Sequence, residues 1–289
     1  MPGLPSPAVD ARTFFDLEPD PGTAGRWRLP VVPGLSTGGG FLFGGCALGA
    51  AIESLEQESG RPLVWATAQY LDYARPPSVV DIDVTLVVEG RSITQGRAIC
   101  AVDGREIISV TAALGQRPLE ATGQWVSPPT VPAPDQCVPR TLRHGPTGSI
   151  MERLEMRLAD ARDWTELDGT PGTGRSSLWA RVPDVLDMSA ATLAILGDYV
   201  PFGIGQSLGA PAGGNSLDNT LRVIRLVPTE WVLVDVQVHG VRDGIGHGLV
   251  HLWADDGRTL MATGSQSVIV RFWDDLPTAP PTLDQENPT

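Results

Sequence analysis

Apolar and polar positions alternate along this chain in an order that is written twice. In the first pass, Thr13 to Leu17 and Gly25 to Val31 read as two short strands around the turn Pro19-Asp20-Pro21-Gly22. A glycine-rich stretch, Gly38 to Gly45, then opens a helix to about Ser59. Leu48, Ala51, Ile52 and Leu55 form its apolar stripe, Glu53, Glu56 and Glu58 lie largely opposite, and Gly60 and Pro62 close it. Four strand-like runs follow: Val64 to Ala74, Val79 to Glu89, Ser92 to Val102 and Arg105 to Leu114. Asp103-Gly104 gives a strong two-residue hairpin signal between the last two. A helix placed ahead of an antiparallel meander that must bury one face predicts a curved sheet wrapped around that helix.

Between Gln116 and Gly148 the pattern gives way to proline, glycine and threonine, the composition of a linker crossing the surface. The order then returns. Ile150 to Leu158 and Ser176 to Val182 read as strands, Ser189 to Tyr199 as the helix, and Ser216 to Val227, Trp231 to Gly240, Gly246 to Ala254 and Thr259 to Phe272 as the meander. Asp256-Gly257-Arg258 answers Asp103-Gly104-Arg105, Gly240 answers Gly90, and Arg225 answers Arg75, at an offset of 150 to 153. A repeat this long holds a complete helix-and-sheet set, so it signals a duplicated domain rather than a solenoid. The expected α+β architecture is therefore a first domain at 12–116, a linker at 117–148 and a second domain at 149–273, packed as a pseudo-dimer.

The second helix is the most informative stretch. Ser189 is placed to cap it, and Ala190, Ala191, Leu193, Ala194, Ile195 and Leu196 leave it no polar face beyond Thr192, which predicts burial. Asp198 then ends a core element, where desolvation pushes a carboxyl pKa upward. A glycine-rich loop is expected next, with a strand opening at Asn215-Ser216. Carrying the offset backwards sets Gln266 on Ala113, Ser216 on about Ala66 and Asp198 on about Leu48. Three polar positions of the second copy thus face apolar ones in the first, which makes the second copy the candidate for chemistry.

Charge and composition narrow the classes. A net charge of −13 argues against nucleic acid and anionic membrane as partners. All 21 basic residues are arginine, which excludes Schiff-base and P-loop lysines. Cys46, Cys100 and Cys137 fit no metal-ligand spacing and read as free thiols; no metal or cofactor is expected. No apolar run approaches a membrane span, and the N-terminus lacks the order of a signal peptide, so a cytoplasmic protein is expected.

At this point the chain resembles the acyl-CoA thioesterase II family, the double-hotdog thioesterases, over about residues 12 to 273. In the first copy the resemblance rests on Gly39-Gly40-Phe41-Leu42-Phe43-Gly44-Gly45 and on Tyr70 to Pro77. In the second it rests on Gly197-Asp198, Ser216-Leu217-Asp218 and Ala262-Thr263-Gly264-Ser265-Gln266. It implies a catalytic set of Asp198, Ser216 and Gln266, acyl-CoA as substrate, and assembly into a homo-oligomer. Asn219 stands where the family often has histidine, and Gly44-Gly45-Cys46 where it usually has Gly-Gly-Gln. Backbone N–H groups near Gly44 and Gly45, or near Gly203, are candidate oxyanion donors, and Arg75 and Arg225 are candidates for the CoA phosphates.

Three rival readings compete. Gly205-Gln206-Ser207-Leu208-Gly209 matches a nucleophile elbow, with Asp235 or Asp243 and His247 or His251 completing an α/β-hydrolase order, but the strand-turn-helix context is missing. A non-catalytic acyl-thioester-binding hotdog protein and a hotdog dehydratase or hydratase are the others; the last would need a histidine near the helix. On strands, His247 and His251 fall about 13 Å apart, too far to share an ion. Trp231, Trp253 and Trp273 read as packing residues.

Overall fold

The structure, a computed structural model, describes residues 9–143, 148–183 and 187–273. Most of the proline-rich N-terminal tail and residues 144–147 of the linker lie outside these limits. In the first half, α1 (Ala11–Phe15), β1 (Glu18–Pro19) and β2 (Arg26–Val31) precede α2 (Gly44–Ser59). The meander β3 (Leu63–Tyr70), β4 (Ser78–Glu89), β5 (Ile93–Val102) and β6 (Arg105–Gly115) follows. The second half has β7 (Val138–Pro139), α3 (Ile150–Arg153), β8 (Glu155–Asp160), β9 (Arg175–Arg181), α4 (Ala190–Gly197) and α5 (Val200–Leu208). Its meander is β10 (Ala212–Val223), β11 (Val232–Arg242), β12 (Ile245–Ala254) and β13 (Leu260–Phe272).

The 13 strands among the described residues form one antiparallel sheet in the order β1-β2-β4-β5-β6-β3-β10-β13-β12-β11-β9-β8-β7. The halves meet where β3 pairs with β10, and there Thr67 lies directly opposite Thr220, their hydroxyls 2.9 Å apart. Helix α2 covers the inner face of β4, β5 and β6, and α5 covers β10 to β13. Each half is thus a helix wrapped by a curved antiparallel sheet, as the double-hotdog resemblance implies. Among the described residues no helix is long and apolar enough to cross a membrane.

Several elements differ from the sequence expectation. Thr13 to Leu17 is not a strand: α1 occupies its start, capped by Asp10, which accepts from the Thr13 N–H at 2.7 Å. The adjacent Phe14 and Phe15 are both buried. Residues 150–153 form a turn of helix before β8. The stretch after Asp198 is a second helix rather than a loop, and β10 begins at Ala212 rather than Asn215. The glycines of α5 serve close packing: a methyl on Gly203 would fall 2.5 Å from Val236 Cγ1, and one on Gly205 2.8 Å from the Ala212 carbonyl. Glu53 is buried rather than facing solvent on α2.

The crossing segment has a packing role. Pro132 accepts from Trp179 Nε1 at 2.9 Å, and Cys137 packs with Trp179, Trp231, Leu233 and Trp253. The hotdog helices cover the other face, since β11 alternates Leu233 outward with Val232 and Val234 inward. Trp231 and Trp253 are packing residues, as expected.

Register refines the internal comparison. Gln266 pairs with Asn219 and Gly248, as Ala112 pairs with Ala66 and Gly96, so Gln266 corresponds to Ala112 rather than Ala113. Ser216 precedes a bulge opposite Val268, and Leu63 precedes the same bulge opposite Leu114, so Ser216 corresponds to Leu63 rather than Ala66. Aligning Gly60-Arg61-Pro62 with Gly209-Ala210-Pro211 sets Asp198 on Gly49, one residue from Leu48. The contrast between a polar and an apolar copy survives each correction.

Candidate active site

Helix α4 is buried along its whole length and stops at Asp198, whose backbone leaves the helical region (φ −85°, ψ 52°). The cause is three residues on. Pro201 has no N–H for the Gly197 carbonyl, and its ring would collide with that carbonyl in a continuous helix. The chain therefore breaks at Asp198-Tyr199 and restarts as α5, with Pro201 in its first turn. Helix α2 has no such proline and runs unbroken for 16 residues.

The break turns the Asp198 carboxylate toward the other half. Its Oδ2 accepts the Gly45 N–H at 2.7 Å, in the first turn of α2, where unpaired amides and the helix dipole favour negative charge. Its Oδ1 accepts from Gln266 Nε2, which also donates to Ser216 Oγ at 2.6 Å. The carboxylate fixes the amide's orientation, because the reverse would set two oxygens against each other. Gln266 Oε1 is buried without a donor among the described residues, at a cost of about 1–3 kcal/mol. Burial raises the Asp198 pKa to about 6, and the hydrogen bonds from Gln266 and Gly45 limit the rise. Carboxylate, hydroxyl and amide thus come together from the end of α4, β10 and β13.

Asp198 and Ser216 open onto a cleft of about 370 Å³ between the halves. Aromatic rings from both sides line it, including Phe43, Tyr70, Tyr199, Phe202, Trp164 and Trp273. Tyr70 donates to the Gly44 carbonyl at 3.0 Å, and burial holds its hydroxyl well above the usual phenol range. At the outer rim Asn215 Nδ2 donates to the Tyr73 hydroxyl at 2.5 Å, tying the segment after β3 to the start of β10.

The other expected site residues divide. Gly44 lines the cleft, and its N–H, the first of α2, has no acceptor among the described residues. Gly45 cannot donate to a substrate while its N–H is bound to Asp198. Gly203 is likewise engaged, donating to the Tyr199 carbonyl at 3.3 Å. Arg75 is exposed just beyond the cleft-lining Ala74, with Nη1 3.3 Å from the Gly40 carbonyl. Arg225 lies past the opposite end of β10 from Ser216, about 30 Å along the strand. It corresponds to Asp72 rather than Arg75: Ile224 and Arg225 donate to the Met261 carbonyl as Leu71 and Asp72 donate to that of Ile107. Ser207 sits inside α5 and donates to the Gly203 carbonyl at 2.8 Å, so the elbow reading fails on its context. No described histidine lines the cleft.

Sequence reasoning missed Arg140, Arg162 and Tyr199, and took Trp273 for packing alone; all four line the cleft. Arg140 lay in what read as linker, where no periodicity marks a wall of a site.

The comparisons with known proteins agree with this geometry. A model of the acyl-CoA thioesterase C-terminal domain matches residues 134–270. A solved structure from Novosphingobium aromaticivorans, of a protein proposed to be a thioesterase, is 33% identical with a TM-score of 0.78. It aligns over 88% of this chain and 97% of its own. The chain belongs to the thioesterase family. Its fold is also that of an acyl-CoA thioesterase II, TesB2, from Mycobacterium marinum (18% identity, TM-score 0.68, 91% of this chain and 98% of that one). A hotdog-fold protein from Alicyclobacillus acidocaldarius is similar in the same way (19% identity, TM-score 0.79, 90% and 97%). No curated protein sequence matches the chain.

Proposed function

We propose that this thioesterase-family protein hydrolyses acyl-CoA to a free carboxylic acid and coenzyme A, with Asp198, Ser216 and Gln266 as its catalytic residues. The observation that carries the reading is the convergence of those three side chains beside one cleft, with the carboxylate buried on the first turn of α2. In the proposed reaction Asp198 takes a proton from water as its oxygen attacks the thioester carbon. Ser216 Oγ accepts from Gln266, which leaves its own O–H to hold the water or the carbonyl. The Gly44 N–H, with the dipole of α2 behind it, would stabilise the developing oxyanion. The C–S bond then breaks and the proton taken by Asp198 passes to the sulfur. The chemistry belongs to the second half, residues 149–273, and residues 12–116 act as scaffold, supplying Gly44 and Gly45 across the contact between them.

The test is release of free thiol from a panel of short, medium, long and aromatic acyl-CoAs, with Asp198→Asn as the comparison. Turnover lost in the variant supports the reading. Binding without turnover by the unaltered protein favours a non-catalytic acyl-thioester-binding protein instead.

A further inference from the structure

Four charged side chains line the cleft: Asp72, Arg140, Arg162 and Asp198. Three have partners or a role. Asp72 is paired with Arg105. Arg162 donates to the Thr170 and Gln206 carbonyls at 2.9 and 3.1 Å and lies 3.7 Å from Asp168. Asp198 is the proposed base. Arg140 is different. Its guanidinium lies over the rings of Tyr199 (5.9 Å) and Phe202 (5.2 Å), hydrogen-bonds the neutral Tyr199 hydroxyl, and through Nη1 reaches the sulfur of Met156, a weak acceptor, at 3.3 Å. No carboxylate pairs with it among the described residues. In a chain of net charge −13, a cation left unneutralised on a partly buried aromatic wall stands out.

Its place in the cleft separates the two ends of the substrate. The rim formed by Leu71, Tyr73 and Leu217 is exposed, which suits the CoA moiety. Tyr199 is buried, Phe202 half-buried, and they stand at the start of α5, one and four residues after Asp198; this more enclosed wall suits the acyl group. On the neighbouring segment, which Asp163 joins by accepting from the Thr141 N–H at 2.9 Å, Trp164 Nε1 is a buried donor without an acceptor among the described residues. A plain hydrocarbon chain would leave the cation unneutralised and the indole N–H unmet, whereas an acyl group ending in a carboxylate would meet a planar, five-donor cation that binds carboxylates in a two-pronged fashion.

Building on the hydrolase reading, we infer that Arg140 selects acyl groups bearing a second carboxylate, so that the preferred substrates are thioesters of dicarboxylic acids. The ring faces of Tyr199 and Phe202 hold the guanidinium flat against the wall, and the backbone bond from Arg140 N to the Met156 carbonyl at 2.9 Å fixes where it leaves β7.

The experiment compares kcat/KM for succinyl-, glutaryl- and adipoyl-CoA with butyryl-, pentanoyl- and hexanoyl-CoA, in the unaltered protein and in Arg140→Met and Arg140→Lys. A preference of about tenfold or more for the carboxylated member of at least one pair is expected. It should fall to about one in Arg140→Met and partly return in Arg140→Lys. Equal rates in every pair, or a loss in Arg140→Met that is the same for both members, would overturn the inference, the second by assigning Arg140 to the thioester or the CoA. Binding of free adipate against free hexanoate, read from the fluorescence of Trp164 and Trp273, separates the two levels. Tighter adipate binding without thiol release from any substrate would sink the hydrolase reading and keep the inference; equal binding of the two acids would sink the inference.

Discussion

Asp198 is the residue on which function and stability pull apart. Its folded pKa of about 6 stands above the 3.8 of an ordinary aspartate, so the folded chain holds this proton over that window while the unfolded chain has lost it. Its contribution therefore favours folding at low pH and weakens as pH rises from about 4 through about 6. Above that the cost is full, about 3 kcal/mol at 1.36 kcal/mol per pH unit. In its proposed role as base it must be ionised, so kcat should fall below about pH 6, a limb a pH–rate profile will show. Asp198→Asn should lower kcat about 10²–10⁴-fold while melting no lower than the unaltered protein at pH 8. An asparagine oxygen can still accept from Gly45, and its nitrogen can donate to Gln266 Oε1 once that amide turns over. A large drop in melting temperature would instead make Asp198 a structural keystone. Ser216→Thr should keep most activity because the hydroxyl survives, whereas Ser216→Ala should lose roughly tenfold or more in steady-state assays.

That Asp198, Ser216 and Gln266 belong together was legible from the contrast between the two copies and from the family resemblance, and the structure brings the three side chains within hydrogen-bond reach. Arg140 was not legible, since its meaning comes from Tyr199 and Phe202, some 60 residues away in the chain.

At the scale of elements, the α4-α5 break is the device that presents the carboxylate. Pro201→Ala restores a donor for the Gly197 carbonyl and removes the clash, so the two helices should join and swing Asp198 off the Gly45 amide. Expected is a loss of at least about tenfold in kcat with unchanged or raised thermal stability, since proline is the poorest residue within a helix; full activity would show that the kink is incidental. Gly45→Ala acts on the opposite wall, where the new methyl would meet the Ala194 carbonyl at 2.8 Å and Ile195 Cα at 2.9 Å. Overpacking of this kind costs about 1–3 kcal/mol, so both melting temperature and kcat/KM should fall.

The strands of both meanders were legible because half-buried antiparallel strands alternate cleanly. The short helices were less so. In α5, Gly203 and Gly205 weaken helix propensity and imitate a loop, and only the Val236 side chain and Ala212 carbonyl crowding them explain their presence. In α1, five residues are too few for a period to emerge, and Asp10 at its cap was the one available sign.

For the whole molecule, the sheet is continuous and each half completes the other. The β3–β10 pairing and the close approach of α2 to α4 leave neither half with a finished surface. Residues 134–273 produced alone should expose the β10 edge and the apolar face of α4, and so aggregate or lack a cooperative urea transition. The full chain should unfold in one step by circular dichroism and tryptophan fluorescence together. A stable, monomeric fragment would mean that the duplication is two independent domains. The long crossing segment, rich in proline, looked from sequence like a tether alone; its cover over Trp179 and Trp253 depends on pairings no local pattern encodes.

The bond from Gly45 to Asp198 joins residues 153 positions apart and belongs to neither half alone. Hydrolysis is accordingly a gauge of how well two pieces of one polypeptide stay clasped. In mild denaturant, catalytic rate should fade while ellipticity still looks intact, because a shift of a fraction of an ångström between the partners disarms the base long before any strand is lost.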